Sequence, residues 1–403
     1  METPLNKPSP DPRLSPERDP LRACVHCGLC LESCPTYRLT GDENNSPRGR
    51  LLLWRAEAEG TLEVDPWTNF YTEECVGCLA CESVCPANVP YGDLLETTRA
   101  QHYREGRSRP DWRVALAGRA VRRPRLFNLA LAPARALRRA RLLPHRMLFP
   151  GKPAVRLTTA AYAKTLMKRH RPSGPAVALL TGCLMEGLFR EINFATVRVL
   201  IENNIRVFIP EGQGCCGALH EHTGLPGWKE LAATNRAAFD GQEVERVLAN
   251  SAGCGLALGK ALAGKIPVQD VLGYLAGHGL KQRSPREGGL RVFVDLPCHL
   301  VHGQGVGLPE SVLEATGYDW EWAPCAEDCC GSGGVYNLQK PERAREILRE
   351  KADFLNRRPA GSRSMVATSN HVCMMQWSTA RSFVKRPFEV CHVIQLLDPG
   401  PQF

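Results

Sequence analysis

The sequence predicts an α+β multidomain chain: a mostly α-helical N-terminal domain followed by two copies of an α/β unit. Three observations carry this expectation. A cysteine pattern at residues 24–35 recurs at 75–86. A different cysteine pattern appears twice after residue 173, at a nearly constant offset. Within each copy of that second pattern, short β-rich runs alternate with helix-like stretches, as in units built on a parallel sheet.

The chain has 403 residues, enough for two or three domains. Arg or Pro breaks every apolar run well short of the ~18 residues that mark a transmembrane helix. Residues 1–20 have no apolar signal core and are rich in Pro, Ser and charge, so a disordered tail is expected there. Eighteen cysteines are many for a chain without an export signal. In a reducing compartment they point to metal ligands rather than disulfides. Sixteen of the eighteen fall into patterned groups, which agrees.

The first pattern is "CVHCGLCLESCP" and "CVGCLACESVCP". Both are C-x2-C-x2-C-x3-C-P, the run of bacterial two-cluster ferredoxins. Three thiolates two residues apart can wrap one cuboidal [4Fe–4S] cluster. The fourth, before proline, is turned away to the other cluster. The expected ligands are Cys24, Cys27, Cys30 and Cys85 for one cluster, and Cys75, Cys78, Cys81 and Cys34 for the second. Zinc is the competing reading, but it usually takes two C-x2-C pairs. Between the motifs, Ser46 can cap a helix with Pro47 in its first turn, and Gly60 can close it. Residues 21–105 are therefore expected to form a helical two-cluster domain.

Residues 173–285 and 286–397 read as a duplication. The first copy runs "AVALLTGC", "GCCG", "LANSAGC"; the second runs "RVFVDLPC", "DCCGSGG", "ATSNHVC". Each supplies four cysteines: Cys183, Cys215, Cys216 and Cys254, then Cys298, Cys329, Cys330 and Cys373. The strand-like runs end near cysteines, where α/β folds place their sites. Gly217 and Gly331 would let backbone come close to the paired thiols. Spacing alone allows an iron–sulfur cluster, zinc, or buried or redox thiols. Cys325 and Cys391 lie outside the pattern and read as structural. His220, His222, His299, His302 and His371 lie near these cysteines and read as loop or core residues before they read as ligands. Trp54, Trp228 and Trp377 read as packing. "GQGVG" at 303–307 lacks the full glycine pattern of a dinucleotide loop and its acidic partner.

Residues 106–172 form a connector of different character. From Trp112 to Met185 there are sixteen Lys or Arg and no Asp or Glu. The remaining 35 basic and 42 acidic residues balance to −7, so the net charge of +9 belongs to this one segment. No nucleic-acid module accompanies it. Two readings stand side by side: a basic amphipathic surface for an anionic membrane or acidic partner, and a linker packed on its own chain, helical between prolines.

Several strings then resemble the iron–sulfur subunit of glycolate oxidase (glycolate dehydrogenase): "LRACVHCGLC", "SCPTY", "SPRGR", "GCCGALH", "SAGCG" and "CCGSGGVYNL". The resemblance runs from about Leu21 nearly to the end. It implies an electron-transfer subunit beside FAD-binding subunits that oxidise glycolate to glyoxylate. Electrons would pass to the quinone pool, with the protein cytoplasmic and peripheral at the inner face of the cytoplasmic membrane. FAD would sit on the partners only. Related lactate or anaerobic glycerol-3-phosphate dehydrogenase subunits, and a heterodisulfide-reductase-like enzyme, are the alternatives. The CCG repeats of heterodisulfide reductase end in C-x-x-C and hold noncubane clusters. Here they end in "CGLA" and "CMMQ", one ligand short. A cubane cluster on four thiolates, or no cluster in at least one repeat, fits the spacing equally.

Overall fold

The computed structural model describes residues 20–62, 66–142, 156–286 and 288–400. The expected N-terminal tail up to residue 19, and Pro144, Pro150 and Pro153 of the connector, lie outside the described residues.

The N-terminal region is helical. Helix Pro47–Ala58 starts where Ser46 accepts a hydrogen bond from Gly49 N, with Pro47 in the first turn. The turn before it is tight enough to require glycine: a Cβ on Gly49 would stand 2.0 Å from the Glu43 carbonyl oxygen. Helices Pro66–Glu73 and Tyr91–Arg104 complete the scaffold around the cysteines. Trp54 is buried and donates to Thr72 Oγ1 at 2.8 Å.

The duplicated part folds as two four-stranded parallel sheets. The first comprises β1 (Ala176–Leu180), β2 (Arg206–Phe208), β3 (Arg246–Ala249) and β4 (Val268–Asp270), in the order β2-β1-β3-β4. The second comprises β5 (Leu290–Asp295), β6 (Asp319–Trp322), β7 (Arg363–Thr368) and β8 (Phe388–His392), in the order β6-β5-β7-β8. Position for position the two orders match. Every residue of β1 is buried, which is why "AVALL" is uniformly apolar rather than alternating.

The two sheets share one core, in which Val177 and Leu179 of the first belong with Val292 and Val294 of the second. Helix Arg190–Glu202 is buried almost all round. Its polar residues are therefore partnered: Asn193 donates to Thr181 O at 3.0 Å, and Arg198 pairs with Asp398 at 2.5 Å. Among the described residues no helix is long and apolar enough to cross a membrane.

The connector forms helices Trp112–Val121, Pro124–Ala130, Ala132–Arg139 and Thr159–His170. Its inner side packs on the first repeat. Arg135 is buried and donates to Gly187 O at 2.7 Å. Arg138 is buried in an ion pair with Glu191.

Candidate iron–sulfur centres

The first two thiol sets line two hollows in the helical region. Cys24, Cys27, Cys30 and Cys85 surround one, with Cys81 in its wall. Cys34, Cys75, Cys78 and Cys81 surround the other, which Arg50 and Tyr91 also line. The fourth cysteine of each motif thus lies with the first three of the other. Cys27 is exposed, whereas Cys34, Cys75 and Cys81 are buried. Burial pushes the Cys34 and Cys81 thiols up, so each holds its proton until something positive replaces it.

The surroundings of the second hollow fit a negatively charged group. Arg50 is 1% exposed. It donates to Tyr71 O at 2.6 Å and to Thr36 Oγ1 at 3.1 Å. Its Nη1 has no hydrogen bond, and Tyr91, Cys75 and Cys34 are the groups its charge meets. A buried guanidinium with a spare donor asks for an anion. Four thiolates around an iron–sulfur cube would supply one. Sequence reasoning missed Arg50, although it lies in the quoted string "SPRGR". Among the described residues no three His, Cys, Asp or Glu converge as ligands of a single metal ion would. A cuboidal cluster makes a different demand, one thiolate per iron.

The other eight patterned cysteines form two further groups. Strand ends deliver them: each set gathers at the C-terminal edge of its sheet. In the first repeat, Cys215 contacts Cys183 and Cys216, and Cys216 contacts Cys254. In the second, Cys329 contacts Cys298 and Cys330, and Cys330 lies 3.3 Å from Cys373. All these thiols are free, with no Cys-Cys bridge. The glycines after the pairs are fixed in place. Gly217 has φ +96° and a Cβ there would meet Trp228 at 2.8 Å; at Gly331, with φ +81°, it would meet Ala344 O at 2.6 Å. Asn370 Nδ2 donates to Cys373 Sγ at 3.4 Å, and Gly331 N donates to Cys329 Sγ at 3.3 Å. Donors of this kind favour a thiolate.

The second repeat adds a buried ion pair. Lys351 and Asp295 meet at 2.6 Å, their side chains 3% and 1% exposed. Lys351 also donates to Ala326 O at 2.9 Å. Its charge acts on Cys330. This pair was not foreseen from the sequence.

The second repeat also touches the helical region. Cys78 is in side-chain contact with Cys329. His299 Nε2 donates to Gly77 O at 3.1 Å, and His302 Nδ1 and Ser83 Oγ are hydrogen-bonded at 2.9 Å. Lys340 pairs with Glu74 at 2.6 Å. On the first repeat, Lys260 reaches Asp93 and Glu96 at 3.1 and 2.9 Å. His222 pairs with Glu96 at 3.1 Å and stacks on His299, the ring centroids 5.0 Å apart. Burial lowers the pKa of His299 and of His371 to about 3, so both are neutral. His220 is buried beside Gly118 of the connector. The five histidines thus sit in interfaces and core. Cys391 is buried, 3.3 Å from Met365 Sδ, as a structural cysteine should be. Cys325 reads as structural in the same way, but it is exposed, with φ +54°. It stands on the loop that leads into Cys329 rather than in the core.

Comparison with known proteins agrees with this layout. A 4Fe-4S dicluster domain family matches residues 20–89, and a cysteine-rich domain family (CCG) matches residues 177–259 and 293–378. The chain is 31% identical to the probable glycolate oxidase iron–sulfur subunit of Bacillus subtilis (strain 168), over 88% of this chain and 87% of that one. It is also 31% identical to the glycolate oxidase iron–sulfur subunit of Escherichia coli (strain K12), covering 92% and 93%. A subunit of the dihydromethanophenazine:CoB–CoM heterodisulfide reductase of Methanosarcina barkeri (strain Fusaro) is 26% identical, over 83% and 86%.

Proposed function

The chain belongs to the family of glycolate oxidase iron–sulfur subunits, and on that premise we propose that it is the electron relay of a flavin-dependent dehydrogenase oxidising glycolate to glyoxylate. Cys24, Cys27, Cys30 and Cys85 hold one [4Fe–4S] cluster, and Cys34, Cys75, Cys78 and Cys81 hold the other. The four thiols of each repeat hold a further cluster. Such clusters, when bound, supply one-electron redox centres whose potentials depend on nearby charge and hydrogen bonds. The hydride chemistry belongs to FAD on partner subunits, and the electrons go on to the quinone pool at the inner face of the cytoplasmic membrane.

The observation that carries this reading is the Cys78–Cys329 contact. It joins a thiol set of the helical region to a thiol set of the second repeat. Next along, Gly253, the neighbour of Cys254, lies against His299, the neighbour of Cys298: a Cβ on Gly253 would stand 3.4 Å from His299 Nδ1. The thiol sets therefore follow one another through packed protein. The chain's own residues do three things along this line. They hold the metal ligands, exclude water from the inner sets, and set local charge through Arg50 and Lys351.

The test is reconstitution with the flavoprotein encoded beside it. The purified chain should bind iron and labile sulfide and be inert towards glycolate. With the flavoprotein added, glycolate should bleach its visible absorbance. Glycolate turnover by the isolated chain, or no bleaching in the pair, would overturn the proposal.

A further inference from the structure

The connector has two faces of opposite character. Its inner face is fixed to the first repeat by the buried Arg135 and Arg138, and by Leu131, which closes on Gly187 so tightly that a Cβ there would stand 2.5 Å away. Its outer face carries apolar side chains that no other described residue covers. Fifteen large apolar residues are exposed among the described residues. Six of them fall between Trp112 and Leu142: Trp112, Leu116, Leu126, Leu129, Leu137 and Leu142. In helix Trp112–Val121 the division is periodic. Val114, Gly118 and Val121 are buried, while Trp112, Leu116 and Arg119 are exposed.

Exposed arginines are interleaved with these residues, at Arg119, Arg122, Arg123, Arg125 and Arg141. No acidic residue occurs anywhere from Trp112 to Met185. A protein partner would have to answer this charge with an acidic patch fitted to these particular side chains. A face with only positive charge, studded with Leu and Trp, suits instead a surface that is uniformly negative and apolar just beneath.

We infer that the outer face of helices Trp112–Val121, Pro124–Ala130 and Ala132–Arg139 docks on an anionic phospholipid bilayer. The leucines and the tryptophan enter the headgroup boundary, and the arginines meet lipid phosphates. The helices are short and lie in the interface; none spans it. The surface deepens the proposed function by naming where this chain meets the membrane, and rests on that reading only for its purpose. Lipid binding itself needs neither glycolate nor flavin.

Docking would also orient the first repeat. A cavity of about 300 Å³ opens between the connector and that repeat. Pro124, Arg125 and Phe127 wall it on one side, and Gly182, Cys183 and Gln213 on the other. Its rim is thus the same helix that presents Leu126 and Leu129 outward.

The test is co-sedimentation of the full chain with vesicles of phosphatidylglycerol and phosphatidylcholine, against phosphatidylcholine alone. Binding to the anionic vesicles should exceed binding to the neutral ones and weaken as salt rises. Leu126→Asp/Leu129→Asp should lower it at least about tenfold, with iron content unchanged. Arg119→Glu/Arg123→Glu should act in the same direction. Equal binding of native and variant chains, or no preference for anionic lipid, would overturn the inference. So would a native chain that ignores vesicles while the variants lose the flavoprotein, since the face would then be a protein interface. Glycolate-driven bleaching that survives in the Leu126→Asp/Leu129→Asp chain separates this outcome from failure of the electron-relay function.

Discussion

The two repeats have the same strand order and the same thiol pattern, yet their thiols sit in different electrical surroundings. Three residues before the first cysteine of each set, the first repeat has Leu180 and the second has Asp295. On the helix that backs the cysteine pair, the first repeat uses a neutral tether: Asn235 donates to Cys215 O at 2.8 Å and accepts from Gly214 N at 3.0 Å. The second uses Lys351, which holds the carbonyls of Ala326 and Asp328 and pairs with Asp295. The neighbours differ too. Cys329 meets Cys78 of the helical region, while Cys183 faces a cavity under the connector. Duplication preserved the scaffold that gathers four thiols. The charge beside them diverged, and nearby charge is one of the factors that set the potential of a bound cluster.

The largest effect that could break this comparison is loss of metal. Cys216→Ser and Cys330→Ser should each remove about four irons per chain, since a cluster needs its full set of thiolates. Iron and sulfide assays read the result. A loss in only one variant would mean that the repeats differ in cargo and not just in surroundings.

The next effect concerns the tethers. Lys351→Met leaves the Asp295 carboxylate buried without its cation, which should cost about 3–5 kcal/mol in denaturant unfolding. The double variant Asp295→Asn/Lys351→Met should recover much of that loss. Asn235→Ala, at the neutral counterpart, should cost only about 1–3 kcal/mol. Equal costs at the two sites would remove the distinction drawn between them.

The effect that is smallest over any single pH unit is a dependence on pH of opposite sign in the two repeats. The last strand of each sheet ends in the residue that caps the following helix. That residue is Asp270 in the first, accepting from Leu272 N at 2.9 Å, and His392 in the second, accepting from Ile394 N at 3.1 Å. Burial raises Asp270 from 3.8 to about 7. Its contribution to stability is therefore full below pH 3.8 and fades as pH rises through about 7. Burial lowers His392 from 6.5 to about 4. Its contribution is full above pH 6.5 and fades as pH falls through about 4. Asp270→Asn should flatten the decline between about pH 4 and 7, by at most about 1.4 kcal/mol per pH unit. His392→Asn should flatten the acid limb. Thermal midpoints across pH, read by circular dichroism, check both; unchanged profiles would show that burial is not what governs these two groups.

Much of the architecture was legible because its signals are local. A parallel strand buried on both faces is apolar where it is covered, so "AVALL" and the "VFV" of "RVFVD" announced β1 and β5. The Ser46–Pro47 start of a helix is a short-range device. The cysteine spacing gave the thiol groups. What stayed hidden depends on residues that meet only after folding. Nothing near Lys351 in sequence marks it as buried; its helix is amphipathic and charged, and Asp295 lies on a distant strand. The Cys78–Cys329 contact is of the same kind. The connector was ambiguous for another reason. The sequence offered a membrane-like face and a packed linker as alternatives, but its helices have two sides: Arg135 and Arg138 face inward, and Leu126 and Leu129 face outward.

The graded burial of the first two thiol sets has a practical outcome for handling the protein. Cys27 lies at the surface with Val25 and Leu29 exposed on either side, while Cys34, Cys75 and Cys81 are enclosed. Oxygen and alkylating reagents reach thiolates in order of exposure. A preparation ageing in air should therefore decay from one end, with the Cys27 side failing while the enclosed set still titrates as intact. An iron count midway between two whole numbers of clusters would then describe a mixture of molecules cut off at the same terminal, not a protein with weak sites throughout.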